Sequence, residues 1–182
     1  MSRHEEAQAI LAKAELLVGR AEIDAAYERL AQRINADYQG LLPLVLCVMN
    51  GGLYATAELT RRLEIPFELD YLHATRYRGA TQGGGLIWKR QPDTALEGRH
   101  LLVIDDILDE GHTLVAIRKA LLEFQPASLK VAVLSEKLHD RRAPSAHAEY
   151  IGLSLPDRYV FGCGMDVKEY WRQLPAIYAA NL

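Results

Sequence analysis

The sequence predicts an α/β fold, an open and mostly parallel sheet flanked by helices. Three observations lead there. Residues 44–49 form a short continuous apolar run bracketed by Pro43 and Gly51, and 101–105 and 129–134 are apolar but for Asp105 and Lys130; such stretches suit strands buried on both faces. Stretches with helical spacing of apolar residues lie between them, so strand and helix alternate along the chain. At 182 residues, 49% hydrophobic and 25% charged, the chain has the size and composition of one globular domain. A disordered or collagen-like polypeptide is excluded.

The elements follow in order. Ala7, Ile10, Leu11, Ala14, Leu17 and Val18 form a helical stripe within residues 5–18. Ile23, Ala26, Tyr27, Leu30, Ala31 and Ile34 form a second, so residues 1–38 read as a helical lead-in. After the strand at 44–49, residues 53–63 read as a helix and 67–74 as an alternating strand. Residues 75–85 contain four glycines and little apolar content, which predicts a loop, with a return strand at 86–89. A buried strand at 101–105, a helix at 113–124 and a strand from 129 complete the core. Ser135-Glu136-Lys137 ends what reads as the last parallel strand, and the pattern beyond is irregular. All of this is expected to form one domain over residues 1–182.

Composition also excludes functions. The net charge is −3 and the isoelectric point about 6.1, so no global basic field attracts nucleic acid. The apolar runs are too short to span a bilayer. Cys47 and Cys163 lie far apart with no C-x-x-C pair, which supports neither a disulfide framework nor a zinc site. A reduced, cytoplasmic setting is expected.

Open α/β sheets bind ligands beyond the carboxyl ends of their strands. There the chain reads Ile104-Asp105-Asp106-Ile107-Leu108-Asp109-Glu110-Gly111-His112-Thr113. Asp105 and Asp106, adjacent carboxylates at a strand end, can hold hydroxyls or a hard cation such as Mg²⁺. Gly111 permits a tight turn. The loop amides, a helix N-terminus and the Thr113 hydroxyl favour an anion. Isolated, such acidic or helix-capping residues are ordinary; the whole string in a strand–loop–helix setting describes a pocket for a sugar phosphate with an attendant metal. Val48-Met49-Asn50-Gly51-Gly52 ends the first buried strand in the same way, its glycines allowing close approach to a ligand.

These residues resemble the type I phosphoribosyltransferases, and residues 104–113 resemble their phosphoribosyl pyrophosphate signature. The resemblance implies that fold, with a small hood from both termini over the base site (residues 135–175 including its base-binding part). Met49, Asn50, Gly51 and Gly52 would then be the pyrophosphate loop of the hypoxanthine-guanine branch, with a cis Met49–Asn50 peptide. Arg76, Tyr77 and Arg78, in the glycine-bearing stretch, would belong to a lid that excludes water. The series Lys137, Tyr159, Val160, Asp166 and Arg172 resembles the hood of the 6-oxopurine enzymes. It implies Lys137 as donor to a 6-oxo group, Tyr159 stacking on the purine, and the carbonyls of Val160 and Asp166 facing the 2-position. Arg172 would clamp pyrophosphate. Asp105 and Asp106 would hold ribose hydroxyls and the catalytic Mg²⁺, Asp166 a second Mg²⁺, and Asp109 would exchange a proton with N7 of the base.

Two residues depart from the family pattern. Glu110 stands where Thr or Ser is usual, which removes a hydroxyl and adds a carboxylate beside an anion. Affinity then suffers unless Glu110 points away, leaving the amides of Glu110, Gly111, His112 and Thr113 to hold the 5′-phosphate. Asn50 replaces a frequent Lys, so the loop lacks a positive side chain. The expected reaction is purine salvage with hypoxanthine or guanine, in a homodimer or homotetramer binding neither nucleic acid nor membrane. The alternatives are a xanthine-preferring enzyme and a nucleotide-sensing regulator that kept the fold; the second would want a basic face that 21 basic against 24 acidic residues do not supply.

Overall fold

The computed structural model describes residues 2–76 and 86–181. Helix α1 (Arg3–Ala12) opens on a capping box between Ser2 and Glu5. Strand β1 (Glu15–Val18) and helix α2 (Arg20–Asp37) follow. Next come β2 (Leu44–Val48), α3 (Gly52–Thr60), β3 (Glu68–Arg76), β4 (Leu86–Arg90), β5 (His100–Leu108), α4 (His112–Leu122) and β6 (Ser128–Leu138). Strands β7 (Tyr150–Pro156), β8 (Val160–Phe161) and β9 (Ile177–Ala179) complete the order.

The main sheet runs β4-β3-β2-β5-β6-β7, all neighbours parallel except β3–β4. Its apolar residues divide by face. Val45, Leu102, Ile104, Ala132 and Leu134 pack with α2 and α3, whereas Leu44, Leu46, Leu101, Val103 and Val133 pack with α4. Helix α2 buries Ile23, Ala26, Tyr27, Leu30, Ala31 and Ile34, the full predicted stripe. From β2 the sheet continues to β3 on one side and to β5 on the other. The switch point therefore lies between β2 and β5, and the crevice beyond their carboxyl ends is where such folds place ligands.

The N-terminal stripe does not form one helix. The chain leaves helix at Lys13, and Glu15 and Leu16 pair antiparallel with Ala179 and Tyr178 of β9. Partners at the far end of the sequence override the local helical spacing. No residue of α1 is buried; the helix instead ties to the C-terminal segment, where Trp171 Nε1 donates to the Ala7 carbonyl at 2.7 Å and Lys168 pairs with Glu6 at 2.7 Å. The lead-in thus contributes a strand and a clasp to the small sheet β1-β9-β8.

Strand β6 is also not the last parallel strand. Strand β7 lies beside it, with Ala132 opposite Tyr150 and Lys137 opposite Leu155. Gly152 and Ser154 interrupt its apolar pattern. Gly152 is there because α2 passes close: an added Cβ would come 2.6 Å from the Leu134 carbonyl oxygen and 3.1 Å from Leu30 Cδ1. Strand β3 extends to Arg76, two residues into the predicted loop, because Thr75 and Arg76 pair with Ile87 and Leu86. Helix α3 ends three residues early, at Thr60, whose hydroxyl donates back to the Thr56 carbonyl at 2.7 Å. Among the described residues, no helix is long and apolar enough to cross a membrane.

Candidate active site

Three segments converge beyond β2 and β5. The β2–α3 turn carries Met49, Asn50, Gly51 and Gly52, and the Met49–Asn50 peptide is cis. Gly51 has an ordinary helical φ of −60°, so its need is space: an added Cβ would collide with the Asp106 carboxylate. Gly164, from the C-terminal segment, abuts the Gly51 carbonyl oxygen from another side. The loop is therefore clamped between the acidic strand end and the hood.

Asp105 and Asp106 close this floor. Asp105 Oδ1 accepts from the Asp106 amide at 2.9 Å, and Asp106 Oδ1 from the Ile107 amide at 2.7 Å. Burial pushes both carboxyls above their ordinary range. For Asp105 the neighbouring Asp106 charge adds to the rise; for Asp106 the Arg172 guanidinium offsets part of it. Two crowded carboxylates short of positive charge suit a hard divalent cation. Among the described residues, no group of three or more His, Cys, Asp or Glu could hold a metal ion, so Asp166 does not join them in one ligand set. Asp166 Oδ1 instead pairs with Arg172 Nη2 at 2.6 Å, and its Oδ2 accepts from the Glu169 amide at 2.8 Å. Arg172 Nη1 donates to the Gly164 carbonyl at 2.8 Å, which holds the guanidinium beside the loop.

Beyond β5 the chain turns through Gly111 at φ 77°, left-handed backbone that glycine adopts without strain. Helix α4 begins at His112 with no side chain capping it, so its first amides, including that of Thr113, remain for an anion. Glu110 is exposed. Its Oε1 lies 3.8 Å from Arg141 Nε and its Oε2 3.7 Å from the half-exposed His112 Nε2.

Asp109 has two side-chain partners. Lys137 Nζ donates to Oδ2 at 2.6 Å and His139 Nε2 meets Oδ1 at 2.7 Å. Burial raises the Asp109 carboxyl, but the bonds and charge of these two partners outweigh it and hold it below the ordinary value. The register explains the meeting: Ile107 and Leu108 pair with Ser135 and Glu136, so the ends of β5 and β6 deliver Asp109 and Lys137 side by side. His139 was not among the expected site residues, yet the signal was present. In extended chain, residues 137 and 139 share a face.

Tyr159 is half exposed, and Val160 is buried in β8. Arg76 closes β3. Tyr77 and Arg78 of the expected lid lie outside the described residues. Cys47 and Cys163 are buried free thiols, the second pushed up to about 12 by burial.

The chain matches the phosphoribosyl transferase domain family over residues 19–169. It is 34% identical over 163 residues to a hypoxanthine-guanine phosphoribosyltransferase of Streptococcus pneumoniae, covering 89% of this chain and 90% of that one. It is 32% identical over 162 residues to a hypoxanthine-guanine-xanthine phosphoribosyltransferase of Tritrichomonas foetus, covering 89% and 88%. A crystal structure of a hypoxanthine phosphoribosyltransferase from Staphylococcus aureus matches at a TM-score of 0.89 and 27% identity, covering 95% of each chain. The sheet order, the strand-end acidic pair and the matched span all point one way: this chain belongs to the phosphoribosyl transferase domain family.

Proposed function

We propose that the protein transfers the 5-phosphoribosyl group of phosphoribosyl pyrophosphate to N9 of hypoxanthine or guanine, giving IMP or GMP and pyrophosphate. One observation carries this reading: the Asp109 carboxylate and the Lys137 ammonium lie 2.6 Å apart at the site. In a 6-oxopurine, N7 and O6 share one edge. A proton acceptor and a cationic donor set side by side complement that edge. The 6-amino group of adenine would face Lys137 donor to donor and be rejected.

The chemistry then follows from the residues. The N9 lone pair attacks C1 of the ribose while the bond to pyrophosphate breaks. Asp109 takes the N7 proton as the ring gains positive character, and returns it in the reverse direction. The amides of Glu110, Gly111, His112 and Thr113 hold the 5′-phosphate. Met49, Asn50, Gly51 and Gly52 present backbone to the pyrophosphate, and Arg172 reaches it by exchanging Asp166 for phosphate oxygens. Tyr159 is free to stack on the base, and the carbonyls of Val160 and Asp166 face its 2-position. Asp105 and Asp106 would hold Mg²⁺, with Asp166 serving a second ion. Mg²⁺ keeps most of its shell as water and substrate phosphate, so a site with two protein carboxylates fits it. The ion would neutralise charge on the polyanionic substrate.

The same reading places the enzyme in the cytoplasm, as a homodimer or homotetramer. In support of the second point, Leu53, Leu69 and Tyr71 are exposed and line a groove of about 620 Å³ beside Met49, where a second copy would sit.

A relative whose name includes xanthine makes that base the competing substrate, because backbone carbonyls at the 2-position do not discriminate by side-chain identity. The test is a rate panel of hypoxanthine, guanine, xanthine and adenine with phosphoribosyl pyrophosphate and Mg²⁺. Hypoxanthine and guanine should be turned over, with adenine slower by roughly 10⁴-fold or more, as for a site built to hydrogen-bond the missing group. Transfer to adenine at a comparable rate, or to no purine, refutes the proposal. A dominant rate with xanthine replaces it by the xanthine reading.

A further inference from the structure

We infer that His139 is a positioning residue for Asp109, the anchor that keeps its carboxylate aimed when Lys137 turns to the purine. The inference rests on the function proposed above and concerns a residue to which that reading assigns no part.

The geometry comes first. The His139 side chain is 2% exposed, and its Nε2 lies 2.7 Å from Asp109 Oδ1. Its Nδ1 lies 3.1 Å from the Arg141 backbone nitrogen, whose N–H can only donate. Nδ1 is therefore the acceptor, Nε2 carries the hydrogen, and the ring donates to Asp109 as the neutral tautomer. Arg141 is itself held by both Asp157 oxygens, at 2.7 and 2.8 Å. A continuous chain of contacts thus runs from Asp157 through Arg141 and His139 to Asp109.

The need follows from the second anchor. Lys137 holds Asp109 Oδ2, but its proposed work is to donate to the 6-oxo group. As the base enters, the ammonium must give up much of its bond to Asp109. That frees Oδ2 for the N7 proton and leaves His139 as the fixed donor on Oδ1. A carboxylate without that donor would rotate about its last bond, and a misplacement near 1 Å costs about 100-fold in rate.

Two variants separate this role from packing. In His139→Gln the amide nitrogen can stand where Nε2 stood and donate to Asp109, at the expense of the Arg141 contact. In His139→Asn the amide oxygen can keep the Arg141 contact but the side chain is too short to reach Asp109. We expect His139→Asn to lower kcat by roughly 10- to 100-fold with the KM for phosphoribosyl pyrophosphate unchanged, and His139→Gln to restore most of the rate. With Asn at position 109, both substitutions should be silent, because residues acting through one another are not additive.

Equal rates in the two variants overturn the inference. So does a loss that persists with Asn at 109, or one confined to the KM for phosphoribosyl pyrophosphate. If the unaltered protein transfers ribose phosphate to no 6-oxopurine, the proposed function itself has failed; if it does and His139→Asn matches it, only the role of His139 has.

Discussion

Replacing Asp109 by Asn lowers turnover by about 10- to 1000-fold, the range of general-base losses, while binding of GMP stays measurable. Asn has the size of Asp and can still accept from Lys137 or His139, so the pocket keeps its shape. What it lacks is basicity. An amide does not take the N7 proton, and N9 must attack while the ring still holds it. The free-enzyme geometry sharpens the expectation. Lys137 and His139 hold the Asp109 carboxyl below its ordinary value despite burial, so it is fully ionised at neutral pH and poised to accept. Departure of Lys137 to the base oxygen removes the larger of the two stabilising contacts, and the carboxylate becomes a stronger base as the base arrives. Single-turnover rates with guanine, beside calorimetry with GMP, read the two halves separately. Unchanged turnover would remove Asp109 from proton transfer.

Gly51→Ala should be nearly as damaging, though it adds one methyl and removes no functional group. The backbone at Gly51 is ordinary helical, φ −60°, so alanine meets no conformational strain. The added carbon meets the Asp106 carboxylate. That carboxylate has little freedom to retreat: Asp106 is buried, and its Oδ1 is tied to the Ile107 amide at 2.7 Å. Either it or residues 49–52 must move, and a shift near 1 Å costs roughly 100-fold. The loss should appear as a raised KM for phosphoribosyl pyrophosphate and a raised Mg²⁺ requirement, with the choice among bases unchanged. Gly19→Ala is the control. Its methyl would find only Glu22 Oε1, at 3.9 Å, and its rate should match the unaltered protein. Full activity in Gly51→Ala would show that the contact between loop and acidic pair is dispensable.

The legible parts of this fold and site share a cause. Asp105 to Thr113 form one local stretch whose apolar strand, acidic tip, glycine and helix start are written consecutively, and the structure keeps them so. The buried strands at 44–49 and 101–105 were legible because central parallel strands are apolar on both faces. Where the reading failed, the deciding partner lay far along the chain. Residues 15–18 have helical spacing but pair with 177–179. Strand β7 is broken in pattern by Gly152, which serves the approach of α2. The meeting of Asp109 with Lys137 needed the β5–β6 register. The approach of Arg141 to Glu110, with Arg141 fixed in its turn by Asp157, needed the fold as well. His139 was the nearest miss, a buried histidine two residues from Lys137 on the same face.

The most direct test is a crystal structure with GMP bound. The account predicts the 5′-phosphate on the amides of Glu110 to Thr113, O6 within hydrogen-bonding distance of Lys137 Nζ, and N7 facing Asp109. The His139–Asp109 contact should persist while Lys137 leaves Oδ2. A nucleotide seated elsewhere, or one whose phosphate leaves those amides empty, would contradict it.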